Sequence, residues 1–168
     1  LEAHLAGALI IAEDLGTAPH GFVEAVAARN MQGMRVLWFQ RAADGGFIGA
    51  QDYPAGAVAM TGTHDTPTLA GWWQGRDLDW AARLHRLPAG VDRAQAEAIR
   101  DWDRGLLWST IAGHSPRPAP DDPAPLVDAA IAHVARTPAR LVVVPMEDLL
   151  AEAEQPNLPG TTHEHPNW

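Results

Sequence analysis

Four short apolar runs punctuate the chain, at about Ala8–Ala12, Met34–Phe39, Ala57–Thr61 and Arg140–Pro145. Each is continuously apolar rather than alternating, which predicts strands covered on both faces, as in a parallel sheet. Between them the apolar spacing changes to that of helices. Gly21–Arg29 places Phe22, Val23, Val26 and Ala27 on one face. Leu69–Trp73 opens a helix after the third run, and Arg93–Leu107 reads as amphipathic through Ala96, Ile99, Leu106 and Leu107. Pro125–Ala135 is a further helix, ended by Thr137-Pro138, and Glu147–Glu154 follows the last strand. The first three strands begin about 25 residues apart, the βα period of a barrel or doubly wound sheet. The last gap is longer and holds at least two helices and the Pro-rich loop Ser115–Pro125, which predicts a helical insertion over about 77–138 within one βα unit.

Two of these runs deliver carboxylates into polar loops. Ile10 and Ile11 lead to Glu13 and Asp14; Ala57 to Met60 lead to His64 and Asp65. Parallel α/β folds place their chemistry just beyond strand ends. At Glu13, neighbouring apolar residues and a second acid would favour the protonated carboxyl, the state a general acid needs. Asp14 would then orient Glu13 or bind a substrate hydroxyl. The alternative is that one of the pair caps the next helix or meets a cation. His64 and Asp65 together would clamp a vicinal diol, one donating and one accepting; the alternative is an Asp cap beside a satisfied His. Asn157, in Asn157–Thr162 beyond the last strand, would share this face, as a hydrogen-bonding group or simply as part of a turn.

Composition narrows the partners. Among 168 residues there are 12 Lys and Arg against 21 Asp and Glu, a net charge of −9, which argues against nucleic acid or an anionic membrane surface. No apolar run approaches the roughly 20 residues of a membrane span. The absence of Cys excludes a thiol nucleophile, disulfides and Cys-ligated metals, and fits a cytoplasmic setting. His163, Glu164 and His165 are metal-capable, yet no HExxH-type spacing is present, so neither metal nor cofactor is expected. No Gly-rich phosphate loop or Ser nucleophile elbow occurs. Seven Trp fit either flat apolar surfaces at a site or core filling. The N-terminus has no Met and the C-terminus stops at Pro166-Asn167-Trp168, so the expectation is a fragment.

With these residues assembled, the chain resembles the 4-α-glucanotransferases called amylomaltases or disproportionating enzymes, relatives of the α-amylases. The blocks that carry the resemblance are IAEDLGTAP, GMRVLWF, Tyr53-Pro54, TGTHDTPTLAGWW and the closing NLPGTT…PNW, in the family's order and across nearly the whole chain. The resemblance implies a (β/α)8 TIM barrel, of which this chain holds the fifth to eighth strands. It implies a retaining double displacement that moves α-1,4-glucan segments between maltodextrin donors and acceptors. Glu13 matches the general acid/base and Asp65 the third carboxylate, which favours the distorted transition state. His64 matches the histidine that holds the donor sugar, and Asp14 and Asn157 match residues lining the glucan groove. Phe39 matches an aromatic near the site, with Trp38 taken alongside it as a substrate-binding candidate. The family's aspartate nucleophile lies on the strand that would precede Leu1 and has no counterpart here. The isolated chain is therefore expected to be inactive. The rival readings are a hydrolase of the same clan and a non-catalytic glucan-binding remnant.

Overall fold

The computed structural model describes residues 7–168; the first six residues of the expected fragment lie outside it. Four strands, β1 (Ile11–Ala12), β2 (Gln32–Val36), β3 (Ala57–Met60) and β4 (Leu141–Val143), form one sheet in the order β1-β2-β3-β4. Every neighbouring pair is parallel. The register aligns Ala12 with Gly33, Val36 with Met60 and Met60 with Val143, so the polypeptide leaves every strand at the same edge of the sheet. The inner strands are the best covered: Val36, Ala57, Val58 and Ala59 are buried, whereas Ile11 and Leu141 on the outer strands are exposed.

β2 differs from the sequence expectation at both ends. It starts at Gln32 and stops at Val36, because Leu37–Phe39 closes a 3-10 turn, with the amide of Gln40 donating to the Leu37 carbonyl. Trp38 and Phe39 therefore lie on a tight turn rather than a strand, and their side chains part: Trp38 packs 4.8 Å from the ring of Trp72, while Phe39 is exposed.

The helices are α1 (Phe22–Ala28), α2 (Leu69–Gln74), α3 (Arg76–Arg83), α4 (Arg93–Ala112), α5 (Ala124–Ala135) and α6 (Met146–Leu149). Thus α2 to α5 fill the long β3–β4 connection. α4 starts from a capping box: Asp92 accepts from the amide of Gln95, and the Gln95 side chain accepts from the Asp92 amide. Its inward face is only partly the expected apolar one: Ala96 and Leu107 are buried and Leu106 packs against the core, but Ile99 does not join them. Ile99 and Trp102 point to solvent, whereas Arg100 and Arg104 are buried.

The reason is the end of α2. A helix leaves its last carbonyls unpaired and concentrates negative partial charge there. Arg100 donates to the Trp72 carbonyl at 2.6 Å and forks onto Asp77; Arg104 donates to the Trp73 carbonyl at 2.6 Å and to Glu97 at 2.5 Å. Both guanidiniums also lie over indoles, Arg100 4.5 Å from the Trp72 ring and Arg104 6.0 Å from that of Trp73.

Around this end sits the core, where Trp72, Trp73 and Trp108 pack with Leu69, Leu107 and Leu126. Two indoles also tie down the Pro-rich loop: Trp73 donates to the Ala119 carbonyl at 2.9 Å and Trp108 to that of Ser115 at 2.8 Å. Four of the seven Trp, including Trp38, thus belong to this cluster, and a fifth, Trp80, is buried outside it.

Where Glu147–Glu154 was expected as a helix, only Met146–Leu149 is one. The backbone turns at Ala151 (φ 53°), and the carbonyls of Glu152 and Ala153 pass directly over the start of α2. Gly71 makes that approach possible, since a Cβ there would stand 2.2 Å from the Ala153 oxygen. Gly71→Ala is expected to destabilise the fold by about 1–3 kcal/mol through overpacking against rigid backbone. Denaturant unfolding of the protein carrying the substitution measures this, and an unchanged midpoint would contradict the close approach.

Candidate active site

A cleft of about 800 Å³ opens at the edge where the strands end. Each strand contributes to its wall: Glu13 and Gly16 follow β1, Phe39 follows β2, His64 and Asp65 follow β3, and Pro145 follows β4. Met34 and Met60, from β2 and β3 themselves, give it apolar surface. The parallel register is what brings residues 52 positions apart, Glu13 and Asp65, to one cavity.

Glu13 is exposed to this cleft, and its neighbouring acid does not face it as a free charge. The Asp14 carboxylate is turned onto β2, where it accepts from the Met34 amide at 2.7 Å and from Arg35 at 2.7 Å. With its side chain only 3% exposed, Asp14 locks the β1 loop to the next strand. Gly33 leaves the room, because a Cβ there would lie 2.6 Å from Asp14 Oδ2. Asp14 was expected to orient Glu13 or bind a substrate hydroxyl; the geometry instead displays the alternative, pairing with a cation. Glu13 itself stands exposed, so the burial expected around it is not provided within the described residues.

His64 and Asp65 stand together on the β3–α2 loop, with His64 Nε2 3.4 Å from Asp65 Oδ1. The amide of Asn157 donates to the same Oδ1 at 2.5 Å across 92 residues of sequence. Among the described residues Asp65 Oδ2 has no hydrogen-bond partner, so it remains available to a hydroxyl in the cleft. Asn157 is itself held by a braced turn. Arg86, just beyond α3, donates to the carbonyls of Pro159 and Gly160 at 2.7 and 2.6 Å. Asn167 accepts from the Leu158 amide at 2.9 Å and donates to Thr161 Oγ1 at 3.0 Å. Trp168 adds an exposed ring 5.3 Å from that of His64.

Glu13, His64, Asp65 and Phe39 thus line one cleft, and Asn157 reaches it through Asp65. Trp38 does not line it; its ring belongs to the core around Trp72.

One further residue carried no local signal in the sequence. Asp148, on α6, is buried, and its carboxylate accepts from Thr61 Oγ1 at 2.5 Å and from the Leu69 amide at 2.7 Å. Burial pushes its carboxyl above the ordinary carboxylate range, opposed by those two donors. In sequence it looks like any acid in the first turn of a helix. No group of three or more His, Asp or Glu among the described residues is arranged to hold a metal ion.

A parallel sheet with carboxylates, a histidine and an aromatic at its carboxyl edge is the arrangement of an α/β enzyme's catalytic face. The comparisons with known proteins name the family: the 4-alpha-glucanotransferase family model matches residues 1–168, and the chain belongs to that family. It is 33% identical over 174 residues to the 4-alpha-glucanotransferase of Mycobacterium tuberculosis (strain ATCC 25618 / H37Rv), a match covering all of this chain and 24% of that protein. The Haemophilus influenzae 4-alpha-glucanotransferase is 31% identical over 169 residues, covering 95% of this chain and 24% of its own length. Among solved structures, amylomaltase from Corynebacterium glutamicum superposes with a TM-score of 0.84 at 31% identity, covering 99% of this chain and 25% of that one. The Streptococcus agalactiae amylomaltase in complex with acarbose has the same fold at 20% identity, with a TM-score of 0.64 over 99% of this chain and 28% of its own. The chain spans about a quarter of the length of these relatives.

If the Arg86 fork is what stiffens the turn at Asn157, removing it should loosen that turn alone. Arg86→Ala is expected to speed amide hydrogen exchange over residues 157–161 while leaving β3 protected. Equal protection of the turn in both proteins would show that Asn167 suffices.

Proposed function

We propose that this chain forms the carboxyl-terminal half of the catalytic (β/α)8 barrel of a 4-α-glucanotransferase, its β1 to β4 corresponding to the fifth to eighth barrel strands. The observation that carries the reading is the convergence of Glu13, His64, Asp65 and Phe39 on one cleft at the carboxyl edge of a parallel sheet. Membership of the family supports the reaction class, and the acarbose-bound relative supports a glucan as ligand.

In this reading the reaction is a retaining double displacement. An aspartate supplied from outside this chain attacks the anomeric carbon of the donor glucan. As the glycosidic C–O bond breaks, the Glu13 carboxyl gives its proton to the leaving oxygen. The resulting glycosyl ester is then attacked by the 4-hydroxyl of a second glucan, which returns its proton to the Glu13 carboxylate as the aspartate departs. One glycosidic bond is broken and one made, with no water consumed.

Asp65 and His64 take the hydroxyls of the donor sugar. The Asn157 amide saturates Oδ1 of Asp65 and so directs Oδ2 to the substrate. Phe39 offers an apolar face to a pyranose ring, and Asp14 acts through the lock that fixes the Glu13 loop on Arg35. Without the nucleophile the segment alone turns nothing over.

The test uses the full-length protein and maltotriose. Glu13→Gln keeps the shape of the side chain but has no proton to give, and glucose release should fall by about 10²–10⁴-fold with binding of the sugar retained. Full activity in that variant would overturn the assignment. A wild-type protein that raised total reducing ends, rather than exchanging glucose for longer chains, would be a hydrolase instead.

A further inference from the structure

The His64–Asp65 loop begins at Thr61, immediately after β3, and ends at Leu69, the first residue of α2. Both ends are held by one side chain that does not line the cleft. Asp148, 1% exposed, takes the Thr61 hydroxyl on Oδ2 at 2.5 Å and the Leu69 amide on Oδ1 at 2.7 Å. Within the loop, Thr66 Oγ1 accepts from the Thr63 amide at 2.9 Å and donates to the Thr63 carbonyl at 3.0 Å. Gly62 leaves space for that contact, since a Cβ there would lie 2.9 Å from Thr66 Oγ1. The loop is therefore a self-braced unit whose two ends share one buried carboxylate, 79 and 87 residues away in the chain, with Thr68 on the Glu152 carbonyl and Asn157 on Asp65 as further ties.

A buried carboxylate is a costly way to hold a loop, because it loses hydration that only two hydrogen bonds replace. What it supplies is direction: each oxygen fixes one end of the loop. We propose that Asp148 is a positioning residue for sugar binding and turnover, setting the placement of His64 and Asp65 by holding both ends of their loop without touching substrate. This deepens the glucanotransferase reading and rests on it.

The test compares Asp148→Asn, Asp65→Asn and the double variant in the full-length protein, with maltotriose as substrate and melting temperature as a control for folding. The amide keeps an acceptor for Leu69, but its NH2 forces the Thr61 hydroxyl to turn from donor to acceptor and replaces a short charge-assisted bond with a longer neutral one. A displacement of the loop on the order of 1 Å should lower kcat/KM by about 10- to 100-fold at temperatures where the variant stays folded. Because Asp148 acts through Asp65, adding Asp148→Asn to Asp65→Asn should cost no more than about a further 2-fold, the non-additivity of coupled sites. A folded Asp148→Asn with wild-type kcat/KM overturns the proposal, as does a loss that multiplies in full with that of Asp65→Asn. Wild-type activity in Asp65→Asn alone would instead overturn the active-site reading, and the proposal with it. If Asp148→Asn fails to fold, Thr61→Val and Thr61→Ser decide: loss in the first with recovery in the second supports the tether, and wild-type activity in Thr61→Val overturns it.

Discussion

The structure depends most on the seam where the β3–α2 segment meets the chain that follows β4. Asp148 binds Thr61 and Leu69, Thr68 Oγ1 donates to the Glu152 carbonyl at 2.7 Å, Gly71 admits the Ala153 carbonyl, and Asn157 reaches Asp65. These contacts join the two strands flanking the long helical connection, and they do so beside the cleft. Without the seam, β3 and β4 would still pair, but the residues after them would have no fixed relation. The helices α2 to α5 thus leave the sheet and return to it within a frame closed at both ends.

The same economy governs the helical layer. The end of α2 is buried, and its carbonyls require donors that an apolar neighbour cannot supply. Arg100 and Arg104 supply them, while Asp77 and Glu97 hold the guanidiniums. Burial works against the Glu97 charge, but its bonds from Arg104 and Arg93 prevail and hold its carboxyl below the ordinary value. The indoles that pack around this polar centre also secure the Pro-rich loop by their N–H groups, so one cluster does the work of both core and connector.

Much of this was legible in the sequence, for reasons that differ by element. Four continuously apolar runs, the first three at a βα period, showed the parallel sheet, since strands covered on both faces carry little else. The same logic put Glu13 and the His64–Asp65 pair at strand ends. What stayed hidden depends on partners far away in sequence. Nothing near Asp14 announces that Gly33 leaves a gap through which it reaches Arg35. An arginine at a core position of α4 contradicts apolar periodicity until the end of α2 is known to lie opposite. Asp148 resembles a helix-start acid, and its role appears only once Thr61 is brought against it. Trp38 and Phe39 were separated by a 3-10 turn that their apolar run concealed.

In the proposed reaction, β1 and β3 deliver their carboxylates to the same sugar. A crystal structure of the full-length protein with a maltooligosaccharide bound tests it most directly. One glucose ring should lie over the carboxyl ends of β1 and β3, with Asp65 and His64 on its hydroxyls. Glu13 should lie within about 3.2 Å of the adjoining glycosidic oxygen. A sugar bound with Glu13 and Asp65 on different rings far apart, or in another groove altogether, would contradict it.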